Sequence, residues 1–400
     1  MPLPRALTLL ALLPLTACSS ASEDDSPPDG VSCGSRVVVG DQAGLTGALA
    51  GAGGGSCVLL RSGSLSGAFT VPKGVTLAAA KGAVVKVASP SEEPAVTLGE
   101  GASLVGVGIG ASKGVGVAVR GGRARVTDVT VTGSASAALA ILCDAGCPED
   151  ADAIVLTRVV LEKSQMGLWV SGAPVRWTGG ESREHATTSL TLAAGVVAQD
   201  GARVELSGVK VLRNQGVGVL LDGAATRGVL TDVTVSENRE RGLWAQKLQG
   251  SAEKPALEIK GSSAFERNRI VGLGGLESRG IIFVGGRVAD TAAAPLVTNL
   301  GQTEDVGDGI GLFGGTGDAR FENVELASNA RAAGIVDNGA RGIIFVGGRI
   351  AAGVSGLKIV VQNTTVPVGT DTSSTTTASK VLGISSAALS TPVVLGKKKQ

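Results

Sequence analysis

Short apolar strands, each opened by Gly or Ala, recur along the chain, mostly at intervals of 21 to 30 residues. They begin at Gly74 (GVTL), Ala95 (AVTL), Gly116 (GVAV), Ala138 (ALAI), Gly167 (GLWV) and Gly195 (GVVA). The series continues at Gly218 (GVLL), Gly242 (GLWA), Gly272 (GLGG), Gly311 (GLFG), Gly334 (GIVD) and Gly356 (GLKI), with one longer step between Gly272 and Gly311. Between them stand pairs of segments such as Val204 (VELS) with Val209 (VKVL), and Phe321 (FEN) with Val324 (VELA). Apolar and polar residues alternate there with period two, the signature of strands with one buried face. An interval of this length holds three short strands and three turns, so each unit is one coil of a solenoid that buries its face only against its neighbours. A longer repeat, Arg279–Ala289 (RGIIFVGGRVA), returns 62 residues later as RGIIFVGGRIA at Arg341–Ala351.

A second column keeps step with the first. Asn214, Asn238 and Asn268 each stand four residues before a strand-opening Gly, Asn329 stands five before Gly334, and Ser134 and Ser164 fall near the same place. Stacked coils bring such side chains into a ladder in which each amide bonds to the next and satisfies polar groups that the turn would leave unpaired. The expected fold is all-β, a right-handed parallel β-helix of about twelve coils spanning 73–362. Composition agrees. With 61 Gly, no Tyr and 2% aromatic residues, the core must be filled by stacked small and branched side chains.

The two ends read differently. Arg5, the apolar stretch Ala6 to Leu15 and the tetrapeptide Leu15-Thr16-Ala17-Cys18 resemble a bacterial lipoprotein signal, with 1–17 removed and Cys18 lipidated. Residues 18–36 are then a tether, expected to be disordered from Ser19 to Gly30 (SSASEDDSPPDG). Lipidation of Cys18 leaves Cys33, Cys57, Cys143 and Cys147, four cysteines in an exported chain, for which three disulfide connectivities exist. The local pairs Cys33 with Cys57 and Cys143 with Cys147 are favoured over a metal site at CDAGC. The Thr/Ser-rich stretch 363–400 ends the repeat, and Val381 to Leu395 is a candidate C-terminal cap.

Residues 37–89, beginning VVVGDQAGLTGALAGAGGGSCVLL, resemble the start of many pectate-lyase-like β-helix proteins. The resemblance implies a short amphipathic helix within 37–72 that covers the first coil with Leu45 and Leu49, Asp41 lying near its start. It does not extend to activity, since the NTD, GHG and RIK segments of polygalacturonase-like enzymes and the WxDH-type signature of pectate lyases are missing. His185, the single His, stands in a polar loop and is expected to be solvated. The weak catalytic candidates are Glu205 and Glu258, outward on strands two coils apart, with Arg176 one coil before Glu205; the solvated face of a strand accounts for them as well. No cofactor is expected. Calcium has candidate oxygen ligands in Asp144 to Asp152 and Glu304 to Asp308, without the spacing of a dedicated loop.

The residue two after each strand-opening Gly should face outward. That column reads Trp169, Val197, Leu220, Trp244, Gly274, Phe313 and Val336. Trp169, Leu220, Trp244 and Phe313 are therefore candidate contacts for a polysaccharide or an envelope protein, unless a loop from 292–309 or the tail folds over them. The near-zero net charge and lack of a basic stripe argue against nucleic acid. The expectation is a non-catalytic protein lipid-anchored in the cell envelope, at the outer membrane, with a divergent polysaccharide lyase or hydrolase and a plain spacer as alternatives.

Overall fold

The computed structural model describes residues 24–142, 153–187, 192–297, 303–337, 339–362 and 369–370. Twelve strands stack in register in one parallel sheet, from Phe69–Val71 at one end to Leu357–Gln362 at the other. Apart from Ala294–Val297, the other strands form a second, two-limbed parallel sheet. In each coil a strand such as Arg203–Ser207 turns sharply into another such as Lys210–Leu212. The chain is a right-handed parallel β-helix, and Val, Leu, Ile, Ala and Phe from every coil fill its interior.

Most bends are made by a left-handed residue, and these residues stack into columns. Asp128, Arg158, Gly208, Asp232, Gly261 and Asn323 divide the two limbs. Gly133, Lys163, Glu184, Arg213, Glu237, Arg267, Asp290 and Ser328 precede the twelve-stranded sheet. Charges along the second column alternate in sign, so Arg213 meets Glu184 at 3.0 Å and Arg267 meets Glu237 at 3.3 Å. Such exposed pairs are each worth little.

The residue after that second bend points inward and forms the ladder. Ser89, Ser112, Ser134, Ser164, His185, Asn214, Asn238, Asn268, Thr291 and Asn329 occupy it, all buried. At most steps the side chain accepts the backbone N–H of the ladder residue one coil earlier. Asn214 N–H donates to Asn238 Oδ1 at 3.1 Å, Asn238 N–H to Asn268 Oδ1 at 3.1 Å, and Thr291 N–H to Asn329 Oδ1 at 3.1 Å. The amide groups also link to one another, Asn214 Nδ2 to Asn238 Oδ1 at 2.8 Å and Asn238 Nδ2 to Asn268 Oδ1 at 2.9 Å.

His185 belongs to this ladder and is fully buried, which corrects the expectation of a solvated loop. Its Nδ1 accepts the Ser164 N–H at 3.2 Å, so the proton sits on Nε2, which faces Ser182 Oγ at 3.0 Å. Ser182 in turn donates to the Gly195 carbonyl at 2.7 Å.

The small-residue column is the counterpart of the ladder. In register it reads Ala95, Gly116, Ala138, Gly167, Gly195, Gly218, Gly242, Gly272, Gly309 and Ala333. A Cβ at Gly218 would lie 2.7 Å from Asn238 Nδ2, at Gly242 2.6 Å from Asn268 Nδ2, and at Gly167 2.6 Å from His185 Nε2. The carbonyl oxygens of Gly242, Gly272 and Gly195 on the next coil crowd the same three positions more closely still. Gly stands wherever the next coil carries Asn or His, while Ala95 and Ala138 precede coils whose ladder residue is Ser. Four openings expected from sequence lie elsewhere. Gly74 turns into a strand of the other sheet, Gly311 stands two past Gly309, Gly334 follows Ala333, and Gly356 sits in the turn before the last strand.

The entrance is capped by the helix Gln42–Gly51, which seats the buried Leu45 and Leu49 on the first coils, and Asp41 accepts the Gly44 N–H at 2.8 Å. Coiling starts earlier than residue 73, since Ser35–Val39 already pairs in parallel with Ser56–Leu60.

Replacing Asn238 by Ala strands the Asn214 N–H and breaks the amide chain, so urea unfolding should show a loss of about 1–3 kcal/mol; an unchanged midpoint would mean that the ladder carries no stability. His185 adds a pH dependence. Burial holds its imidazole down to about 4, below the ordinary 6.5. Its contribution is complete above pH 6.5 and is lost as pH falls toward 4, because only the unfolded chain binds the proton in that window. The loss amounts to about 3 kcal/mol at most. His185→Asn should flatten this slope; an equal slope in both proteins would remove His185 as its source.

Candidate functional site

Glu205 and Glu258 do share one outward column, read as Arg176, Glu205, Val229, Glu258 across successive coils. Two strand spacings separate them, about 9–10 Å. Each is already neutralised. Arg176 Nε donates to Glu205 Oε2 at 2.8 Å, and Lys260 Nζ lies 3.4 Å from Glu258. Both carboxylates are substantially exposed, at 52% and 37%, with Val229 between them rather than a cleft. A general acid needs a carboxyl held protonated by burial or by a neighbouring carboxylate, and neither condition is met here.

The outward column of the twelve-stranded sheet runs Trp169, Val197, Leu220, Trp244, Gly274, Gly311, Ile335 and Val360. Phe313 is displaced two residues from it, and Val336 faces the interior. The expected exposed platform is not present. Leu220, Trp244 and Phe313 are fully buried, and Trp169 is half-buried. They belong to a second apolar cluster outside the coil. A hairpin supplies part of the cover: Ala294–Val297 runs antiparallel to the start of Thr303–Phe313 and adds Ala294, Leu296 and Val306 to the cluster. The Trp244 ring fills the space left by Gly274, where a Cβ would come within 2.1 Å of it. Phe313 packs against that ring with centroids 6.2 Å apart, Arg241 lies 4.4 Å above it, and Nε1–H donates to Gln246.

Of the two acidic loops, 144–152 lies outside the described residues, as do Cys143 and Cys147 and the lipidation residue Cys18. In the second, Asp308 is buried and gripped by Arg331. Burial pushes the Asp308 carboxyl up while Arg331 opposes it. Among the described residues no cluster of three or more His, Cys, Asp or Glu stands in a metal-binding arrangement.

The N-terminal segment, expected to be a loose tether, is instead a strap over the outer face of the first coils. Cys33 and Cys57 are joined by a disulfide. Arg61 makes a two-pronged contact with Asp25 at 3.0 and 2.7 Å, Lys81 reaches Asp29 at 3.0 Å, and Lys81 N–H donates to the Ser26 carbonyl at 3.0 Å. Arg61 holds the Asp25 carboxyl below its ordinary range, and Asp29 holds the Lys81 amine above its own. Val31 and Cys33 pack on a small third cluster of Cys57, Leu59, Ala78 and Ala80. These anchors account for the order of a segment whose own composition carries no apolar periodicity.

Between strap and sheet lies a groove of about 520 Å³. Pro28 to Ser32 form one wall. Thr76, Ser103 and Arg125, stacked in one column, form the floor, and the Asp128–Arg158 pair, at 2.7 Å, closes the far side. Asp29, Asp128 and Arg158 are each engaged by an opposite charge, whereas Arg125 is exposed and makes no ion pair among the described residues. Sequence reasoning missed this groove. The available signal was the column of Ser, Thr and Arg at outward strand positions, but nothing in the sequence placed the strap above it.

The chain has the pectate-lyase-like right-handed parallel β-helix fold. It is similar to the A-module of a mannuronan C-5 epimerase from Azotobacter vinelandii, with a TM-score of 0.51 and 13% identity over 86% of this chain and 96% of that module. It is also similar to the Dettilon tailspike protein, with a TM-score of 0.52 and 13% identity over 80% of this chain and 64% of the tailspike. At such identities the likeness is one of fold. No protein-family model and no curated protein matches the chain.

Replacing both Cys33 and Cys57 by Ser frees a loop of about 24 residues, which should lower stability by about 3 kcal/mol. Denaturation of the double variant measures this, and an unaltered transition would show that the ion pairs alone hold the strap.

Proposed function

We propose that this is a non-catalytic binding protein, anchored in the cell envelope through a lipid on Cys18, that holds an anionic polysaccharide in the groove beneath its N-terminal strap. Arg125 carries the reading. It is an exposed guanidinium without an ion-pair partner among the described residues, on a floor of Thr and Ser hydroxyls, roofed by chain on one side. Carboxylate or sulfate groups of a sugar chain suit the planar guanidinium, and the hydroxyls suit sugar oxygens. The absence of catalysis is argued from Glu205 and Glu258, each tied to its own cation and lying on an open strand face. The membrane anchor is argued from the Leu15-Thr16-Ala17-Cys18 segment, and the outer membrane is the location proposed for it.

A panel of acidic and neutral polysaccharides, titrated calorimetrically into the full chain, tests the reading. Binding should be confined to acidic chains, weaken with salt, and fall about tenfold or more in Arg125→Ala, the loss expected for one charge-assisted contact. Equal affinity in the variant moves the site elsewhere. Release of new reducing or unsaturated ends during the titration would make the protein an enzyme. Independently, Cys18→Ala should shift the protein out of the membrane fraction, and a variant still recovered there with bound lipid would refute the anchor.

A further inference from the structure

The outer face of the two-limbed sheet carries a pattern that the groove does not use. On four successive coils its strands present two outward residues each: Glu258 and Lys260, Ile282 and Val284, Arg320 and Glu322, Ile344 and Val346. The first of each pair stacks in register as Glu258, Ile282, Arg320, Ile344, and the second continues Val284, Glu322, Val346. Their strand neighbours Ile281, Phe283, Ala319, Phe321, Ile343 and Phe345 are buried, so the alternation directs these residues outward. Val284 and Ile344 are 38% and 39% exposed, among the few large apolar side chains of the described residues left open to water. The repeated RGIIFVGGR motif is what places two identical apolar coils on either side of the charged one.

We infer that two copies of this chain pair through this face, related by a two-fold axis parallel to the stack. Such an axis, passing midway between the two columns, sets the first column of one copy against the second column of the other at the same height. Ile282 then meets Val284 of the second copy, Arg320 meets Glu322, Ile344 meets Val346, and Glu258 meets Lys260. Every facing pair is apolar with apolar or opposite in charge. A two-fold along the strand direction instead sets Arg320 against Arg320 and Glu322 against Glu322, which like-charge repulsion forbids. Within one chain Arg320 already pairs with Glu322, and Lys260 lies 3.4 Å from Glu258, so pairing turns each into a ring of four alternating charges.

Four coils span only about 14 Å from first to last, well short of the roughly 800 Å² per partner of a standard stable interface. The association is therefore weak and reversible. An axis parallel to the stack leaves both N-terminal ends on one side, which suits two chains held in one membrane, although the pairing does not rest on the anchor or on the groove.

Sedimentation equilibrium of the full chain, taken up to ~1 mM to reach weak affinities, tests the pairing, with circular dichroism confirming that each variant is folded. The wild type should show a reversible monomer–dimer equilibrium. Arg320→Glu alone and Glu322→Arg alone should each be monomeric, because identical charges then face each other. An equimolar mixture of the two should dimerise again, and the double exchange of both residues in one chain should associate within about threefold of wild type, since it keeps the complementarity. A monomeric wild type overturns the inference, and so does association of either single variant as strong as wild type, or a mixture that stays monomeric.

Discussion

One contact recurs at most coils of this protein, and much of the rest follows from it: a buried side chain accepts the backbone N–H of the coil before it, next to a residue that is Gly or Ala. The left-handed bend before the twelve-stranded sheet turns a backbone N–H into the interior, where water does not reach it. An unpaired buried N–H costs about 1–3 kcal/mol, and a ten-coil stack would accumulate that penalty. The ladder from Ser89 to Asn329 removes most of it, and at Asn214, Asn238 and Asn268 does so with side chains that also bond to one another. The amide needs space, and Gly195, Gly218 and Gly242 provide it. Turn, ladder and small-residue column therefore form one device repeated along the stack. The repetition fixes the register of both sheets, and with it which residues each outer face presents.

That device was legible in the sequence because both of its halves are compositional: an Asn a fixed distance before a Gly, recurring at coil length. Where one half changes, the signal fades. His185 stands 21 residues after Ser164 and 29 before Asn214, in step with the ladder, yet its polar flanks read as a loop. The slip at Gly309 has another cause. The hairpin from Ala294 lengthens one coil, and the apolar Gly311-Leu312-Phe313 run imitates a strand opening two residues late.

The outward stripe shows a different limit. Parity was correctly read, since Trp169, Leu220 and Trp244 do point away from the coil interior. Facing outward from a solenoid is not the same as facing water. A second layer lies over these residues, and its hairpin carries little periodicity that would assign it to that face. The strap is the same lesson in reverse. Ser, Asp and Pro between residues 24 and 30 look solvated, and order there comes from Cys33, Asp25 and Asp29 reaching residues 24 to 52 positions away. Long-range anchors of this kind leave no local pattern, so the groove they create was invisible before the fold was known.

The dependence of ladder and Gly column on each other is the central claim, and a double-mutant cycle between Gly242 and Asn268 tests it most directly. A Cβ at Gly242 would stand 2.6 Å from Asn268 Nδ2 and 3.0 Å from its Cγ, with the Gly272 carbonyl oxygen nearer still. Gly242→Ala, Asn268→Ala and the double variant are unfolded in urea and compared with wild type. Interlocking predicts that the double variant loses less stability than the two singles together, by about 1 kcal/mol or more, because removing the amide relieves its share of the clash and leaves only the share of the Gly272 carbonyl. Losses that add to within about 0.5 kcal/mol would contradict the account, showing that Gly column and ladder are independent features of the coil.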